Sequence, residues 1–373
     1  MSVVQIENRQ DLRRRDGPRG RFPAMMLGLF ILTLILALPV LVVFGYVFVP
    51  AGDIWAHLAS TVLPVYLTNT VFLALGVTVL VLLIGVGTAW LVTMCDFPGR
   101  RIFSWALFLP LAMPAYIIAY TYTGMFDFAG PVQTALRDAF GWTRADYWFP
   151  PIRSLGGAIL MFGLVLYPYV YLVSRAAFVD QSIAALEVGR TLGRGPWRSF
   201  LTIALPLARP AIVTGVALAL METLSDFGAV QYFAIDTFTT GIYRTWLGLG
   251  EPAAAAQLAA ILMVFVFALI LLERLNRGRR KFHHTGRYQP ISRYQMRAGR
   301  QFLAFVACLL PIFLGFLLPT GWLLKDSILH SSSAFNAGFS RLVISSVTVS
   351  LVAAGLSLLV ALVLIYGTRR ESR

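Results

Sequence analysis

Of 373 residues, 58% are hydrophobic before glycine is counted and 13% are charged, about half the charged share of a soluble globular domain. A mean hydropathy of +0.74 leaves too few polar residues to coat two or three soluble domains, which excludes an ordinary soluble enzyme. The net charge of +14 punctuates apolar runs instead of gathering in one stretch, so nucleic-acid binding is not expected.

About 20 apolar residues in a helix cross a hydrocarbon core. Eight segments qualify, near Ala24–Val49, Asn69–Met94, Ile102–Phe126, Leu155–Ser174, Pro210–Ala234, Ala253–Leu272, Phe302–Leu324 and Leu342–Gly367. The fold class they predict is an all-α polytopic membrane protein embedded in a lipid bilayer. The first run is too long for a signal peptide and no small-x-small site follows it, so it reads as a retained anchor behind a basic tail at residues 1–23. Pro110 and Pro114 predict a kink in the third segment. With eight crossings, 25 of the 31 Lys and Arg residues fall on one side and six on the other. Because cytoplasmic loops retain positive charge, both termini are expected in the cytoplasm.

Cys95 and Cys308 are 213 residues apart in or beside apolar runs, which indicates neither a disulfide framework nor a zinc module. His57 and His330 fall in expected external loops and His283 and His284 among cytoplasmic arginines, a scatter that forms no metal site. Tyr120, Tyr122, Tyr167, Tyr169 and Tyr171 read as interfacial anchors more readily than as oxygen ligands. No cofactor is expected.

Shifting the sequence on itself by 276 positions places Asn69-Thr70-Val71 over Ser345-Ser346-Val347 and brings four leucines into register, with Arg100-Arg101 and Arg369-Arg370 closing the two copies. The expected organisation is a first repeat over 24–301 and the start of a second over 302–373. The second copy stops before its counterpart of Glu187, about 90 residues beyond Arg373. A chain that continues, or a separate chain, is expected to supply the missing half.

The loop from Arg175 to Arg209 is the most informative stretch. Residues 181–192 suit a short helix, Gly193 and Gly195 permit a sharp turn, and Pro196 suits the first position of a second short helix. Glu187, Gly193, Ile203, Leu205 and Pro206 keep a fixed spacing, with Val188-Gly189 between the first two. On those positions the sequence resembles the inner-membrane permease subunits of binding-protein-dependent ABC importers, whose signature has Ala-Ala where Val188-Gly189 stands. The text around Leu220–Gly228 and Thr237–Trp246 resembles the iron(III) branch of that family.

The resemblance implies a transport component without enzymatic activity, served by a cytoplasmic ABC ATPase dimer and a periplasmic substrate-binding protein. Glu187, Gly189, Gly193, Ile203, Leu205 and Pro206 would form the ATPase-coupling loop. The chain's two lysines, Lys281 and Lys325, follow Arg280 and Leu324, so no P-loop Gly-Lys occurs and ATP hydrolysis is expected on another subunit. A permease for thiamine or polyamines is the nearest alternative cargo reading.

Glu222 and Asp226 share one helical face and, counted from Pro210, lie about 18 Å and about 24 Å along a helix. A carboxylate at that depth costs about 2.5–3.5 kcal/mol against lipid, so both are candidates for a cation-lining path. They could equally sit at a helix break near Ser225–Gly228 that leaves Asp226 in an external vestibule. A proton-coupled secondary transporter using the two carboxylates is the alternative from another class.

Overall fold

The computed structural model describes residues 22–50, 52–180, 195–277, 293–329 and 337–371. The chain divides into two compact units, Val47–Asp326 and, separately, Met1–Tyr46 with Ser327–Arg373. In the smaller unit, α1 (Phe22–Tyr46) and α15 (Ala337–Glu371) touch each other. The most apolar window of α15, Gly338–Leu362, has no buried residue, as for a helix whose solvent is lipid.

The larger unit begins with α2 (Gly52–Thr61), α3 (Leu63–Met94) and a two-residue strand, β1 (Cys95–Asp96). Next come α4 (Arg100–Ala106), a 3₁₀ turn (Leu109–Ala112), α5 (Ala115–Phe126), α6 (Pro131–Phe140) and α7 (Leu155–Asp180). After residue 195 follow α8 (Pro196–Ser199), α9 (Leu205–Ser225), α10 (Gly228–Tyr232), α11 (Phe238–Tyr243) and α12 (Pro252–Arg277). The unit ends with β2 (Tyr294–Gln295), α13 (Ala298–Ile312) and the greater part of α14 (Leu318–Leu329). Strands β1 and β2 pair in parallel, Cys95 with Tyr294 and Asp96 with Gln295.

The centre of this unit is α7, which packs on α3 and on α9. Its approach to both is set by glycine. A Cβ on Gly85 of α3 would stand 2.8 Å from Val170 Cβ and 3.0 Å from the Tyr167 carbonyl oxygen. On the other side, a Cβ on Gly215 of α9 would stand 2.8 Å from Val170 Cα. Val170, Tyr167 and Tyr171 are buried between the two helices, and the Tyr171 hydroxyl donates to the Ser104 carbonyl at 2.9 Å.

Six helical segments among the described residues are long and apolar enough to cross a membrane. A bent pair, 100–112 with 115–140, makes a seventh if counted as one span, and 30–46 is a shorter apolar stretch. The third expected segment is thus broken, not merely kinked: its two halves meet at 86°. Pro110 opens the 3₁₀ turn and Pro114 caps α5 with Met113 extended before it, because a residue preceding proline is pushed out of the helical region. The fifth segment also differs. The helical rod starts at Pro196, as its first-position proline predicts, and ends at Ser225 instead of reaching Ala234.

Candidate coupling segment and translocation path

Glu187, Gly189 and Gly193 lie outside the described residues. The rest of the segment is a continuous extension of α9. Between α8 and α9, residues Phe200–Ala204 form a π turn in which the Leu205 N–H reaches the Phe200 carbonyl. Pro206 explains the wide turn: it has no N–H for the Thr202 carbonyl, and its ring would press on that oxygen in an α-helix. Ile203 and Leu205 pack partly buried against the core, and Pro206 is half-buried beside them.

The root of this segment is held by aromatic rings. Trp90 near the end of α3 is buried, with ring centroids 5.0 Å from Phe200, 5.7 Å from Phe178 and 6.4 Å from Tyr294. Trp197 adds a contact to Phe200 at 5.3 Å while its own surface stays exposed. Helices α3, α7 and α9 and the strand after residue 292 therefore meet at one cluster, which can pass a displacement of the segment into the bundle. Sequence reasoning missed this box because its members are spread over about 200 positions.

At the other end of α9, the earlier start alters the depth of the carboxylates. Counted from Pro196, Glu222 lies about 39 Å along the rod, in its last turn, not near its middle. Its side chain is exposed. Asp226 ends the helix: its N–H bonds the Glu222 carbonyl, and its Oδ1 accepts the Ala229 N–H at 2.7 Å, starting α10. The Asp226 carbonyl also accepts the Thr239 hydroxyl at 2.8 Å. The structure thus gives Asp226 a capping role and leaves the Glu222 carboxylate without a hydrogen bond among the described residues.

Residues 226–251 form a broken stretch of short helical turns between two long helices. Thr237 and Thr240 close a reciprocal capping box on α11, the Thr237 N–H reaching Thr240 Oγ1 at 2.8 Å. Asn69 Nδ2 donates to the Asp236 carbonyl at 2.9 Å, Arg244 pairs with Asp236 at 2.7 Å, and Phe227 stacks on Tyr243 at 3.9 Å. Ala234 holds a positive φ of 54°, a strained value for a residue with a Cβ, fixed by the buried Phe233 and Ile235 on either side. Irregular backbone with satisfied polar groups at the end of a spanning helix is how membrane proteins line a cavity. Thr-x-x-Thr after Ile235-Asp236 was the available signal for it.

The loop after α5 forms an open pocket of about 300 Å³ lined by Phe126, Phe128, Tyr147 and Trp148 with Arg144 and Arg153. Arg153 pairs with Asp127 at 3.0 Å. Of the other residues weighed from sequence, Tyr122 donates to the Leu314 carbonyl at 2.6 Å, and Cys95 and Cys308 are buried free thiols. His57 is exposed, whereas His283, His284 and His330 lie outside the described residues. No group of three or more His, Cys, Asp or Glu gathers among the described residues.

Comparison with known proteins agrees with this architecture. A solved bacterial alginate ABC transporter, in complex with an alginate pentasaccharide-bound periplasmic protein, is similar in fold over 71% of this chain and 94% of its own, with a TM-score of 0.55 at 18% identity. The molybdenum transport system permease protein ModB of Escherichia coli K12 is 31% identical over 205 residues, covering 52% of this chain and 86% of that relative. The Fe(3+)-transport system permease protein FbpB 2 of Haemophilus influenzae is 26% identical over 353 residues, 92% of this chain, which spans 65% of that relative's length. The family model described as binding-protein-dependent transport system inner membrane component matches residues 81–281, more than half of the chain. The chain belongs to that family, as a multi-pass permease component of the inner membrane.

Proposed function

We propose that this chain is the membrane subunit of an ATP-driven importer of ferric iron, with both termini cytoplasmic. A cytoplasmic ATPase dimer drives it through the segment 175–209, and a periplasmic binding protein supplies the cargo. The observation that carries the cargo is the extent of the iron(III) relative, which aligns with 92% of the chain and so continues past the first repeat. The arginine asymmetry of 25 to six supports the orientation. Residues 24–301 act as one permease repeat and 302–373 belong to a second.

The exposed Glu222, at the end of an apolar helix, faces the aqueous path, since a free carboxylate against lipid is costly. Asp226 shapes the mouth of that path by fixing the break after Ser225. A second reading, import of molybdenum, is favoured by the higher identity of the ModB relative over its shorter stretch. The test is proteoliposome uptake of radioactive iron(III) and molybdate by the complete transporter with its ATPase and binding protein. ATP-dependent iron uptake that persists with a protonophore and falls in Glu222→Gln is expected. Molybdate uptake alone would reassign the cargo, and uptake that collapses with the protonophore at constant ATP would overturn the mechanism.

A further inference from the structure

The paired arginines that open α4 do not point into a cloud of acids. Arg100 is largely buried, with its side chain 17% exposed, and its Nη1 donates to the Val92 carbonyl at 3.1 Å. Its guanidinium lies within electrostatic reach of Arg101 on the same helix, Arg175 on α7 and Arg293 beside β2. The parallel pairing of β1 with β2 is what brings Arg293 there from nearly 200 positions away. Among the described residues one carboxylate pairs with this group: Asp96, 3.9 Å from Arg100 and also accepting from Gln295 at 3.3 Å. Arg175 Nε is buried without a hydrogen-bond partner. Like charges gathered from three elements repel at this range, and a buried guanidinium N–H left unbonded costs free energy, so the arrangement favours an added anion.

The surroundings indicate which anion. Arg101, Ile102 and Trp105 share one face of α4, where Ile102 and Trp105 are 59% and 58% exposed. Helix α13 lies against α4 through Phe103 and Phe305, ring centroids 5.2 Å apart, and exposes Phe302 and Leu303 just after Arg300. A charged rim adjoining exposed apolar and tryptophan surface matches the boundary between headgroups and acyl chains. A small inorganic anion would gain nothing from those apolar groups.

We infer that Arg100, Arg101, Arg175 and Arg293 form a binding site for the phosphate of an anionic phospholipid, whose acyl chains lie along Ile102, Trp105 and Phe302. Guanidinium groups suit the task, since each can present two parallel donors to a phosphodiester. The site joins the end of α3 to the strand before α13, beside the Trp90 box, so an occupied site braces the root of the coupling segment.

The test compares the permease in nanodiscs of phosphatidylcholine alone with nanodiscs containing phosphatidylglycerol at about a third of the lipid. Native mass spectrometry reads the lipid retained, and the difference between wild type and Trp105→Phe reads quenching of Trp105 by each lipid in brominated form. Wild type is expected to retain phosphatidylglycerol and to show stronger quenching by it. Arg101→Gln with Arg293→Gln is expected to weaken that preference on the order of 25-fold, taking about fivefold per arginine near an anionic surface. Arg101→Lys with Arg293→Lys, which preserves charge and guards against misfolding as the explanation, should keep most of it. Equal retention of the two lipids by wild type, or a preference that survives the glutamine pair, overturns the inference. Displacement of the preference by millimolar inorganic phosphate would assign the site to free phosphate, and displacement by the ATPase alone to a protein contact, each overturning the lipid assignment.

Discussion

Gly215→Ala tests whether the α7–α9 crossing is as tight as the structure has it. The new Cβ would stand 2.6 Å from Val173 Cγ2, 2.8 Å from Val170 Cα and 3.1 Å from the Tyr169 carbonyl oxygen. Ordinary carbon contacts lie near 3.5–4.0 Å. The Val173 methyl can rotate away, but Val170 Cα is backbone, held from behind by Gly85 and its neighbours on α3. The helices must therefore part by on the order of 1 Å, and overpacking of this kind costs about 1–3 kcal/mol. At about 2–4 °C per kcal/mol, the apparent melting temperature in a fixed detergent should fall by roughly 2–12 °C. Because α9 is continuous with the coupling segment, ATP-driven uptake should fall as well. Gly87→Ala on α3, whose added methyl meets nothing within 4 Å, serves as the control on a neighbouring core helix. Adding Val173→Ala should restore part of the loss, since it removes one of the two closest contacts and not the other. Wild-type melting and uptake by Gly215→Ala would refute the reasoning.

Three further outcomes are expected. Trp90→Ala empties the centre of the aromatic box and should cost about 3–5 kcal/mol, read as a lower melting temperature and a loss of coupled uptake with insertion retained. Pro206→Ala returns an N–H to the chain and lets the π turn tighten to α, rotating α8 against α9 by about 100°; uptake should fall without a matching loss of stability, and intact uptake counts against the coupling geometry. The Thr143 hydroxyl and N–H bond Asp146 at 2.7 Å and 2.6 Å and hold its carboxyl below the usual carboxylate range. That loop contact is therefore fully present above pH about 4 and lost as pH falls through the depressed value, so cleavage after Arg144 by an acid-tolerant protease should rise only at low pH, and Asp146→Ala should remove the dependence.

The long helices were legible because an apolar run of about 20 residues has few other fates. Pro196 was legible as a helix start for the same local reason that a proline has no N–H to waste. What hydropathy could not see was backbone geometry. It joined 102–126 into one span because Pro110 and Pro114 hardly lower an average, although each blocks a helical bond. Averaging also carried the fifth span through Asp226 to Ala234, since Phe227, Ala229, Val230 and Phe233 are apolar whether in one long helix or in short turns. The start of that helix was placed at Pro210 because Leu205-Pro206 reads as a loop; the π turn accommodates the proline instead. The β1–β2 strap had no signal at all: two pairs of residues nearly 200 positions apart carry no periodicity.

Two of the three π turns among the described residues follow a pattern that the sequence does contain. Phe200-Leu201-Thr202-Ile203-Ala204-Leu205-Pro206 and Phe313-Leu314-Gly315-Phe316-Leu317-Leu318-Pro319 share the form Phe-Leu, three residues, Leu-Pro. Both adopt a π turn over their first five residues, with the leucine before proline bonding back to the phenylalanine carbonyl. In each, proline removes the α-helical bond to the residue four before it, and a wider turn moves that carbonyl clear of the ring. The carbonyl five before the proline is freed as well, since its donor in the wider turn would be the proline's missing N–H. At the second turn the Leu314 carbonyl accepts the Tyr122 hydroxyl of α5, and Gly315 lets the turn lie against the Leu164 carbonyl and Pro110, where a Cβ would stand 2.7 Å from that oxygen. One heptapeptide thus makes the same joint twice, once at the root of the coupling segment and once where α13 and α14 meet the broken third span. The joints sit where the bundle must bend around its tight α3–α7–α9 centre, and a proline that reads in isolation as a helix breaker instead sets the direction in which the helix continues.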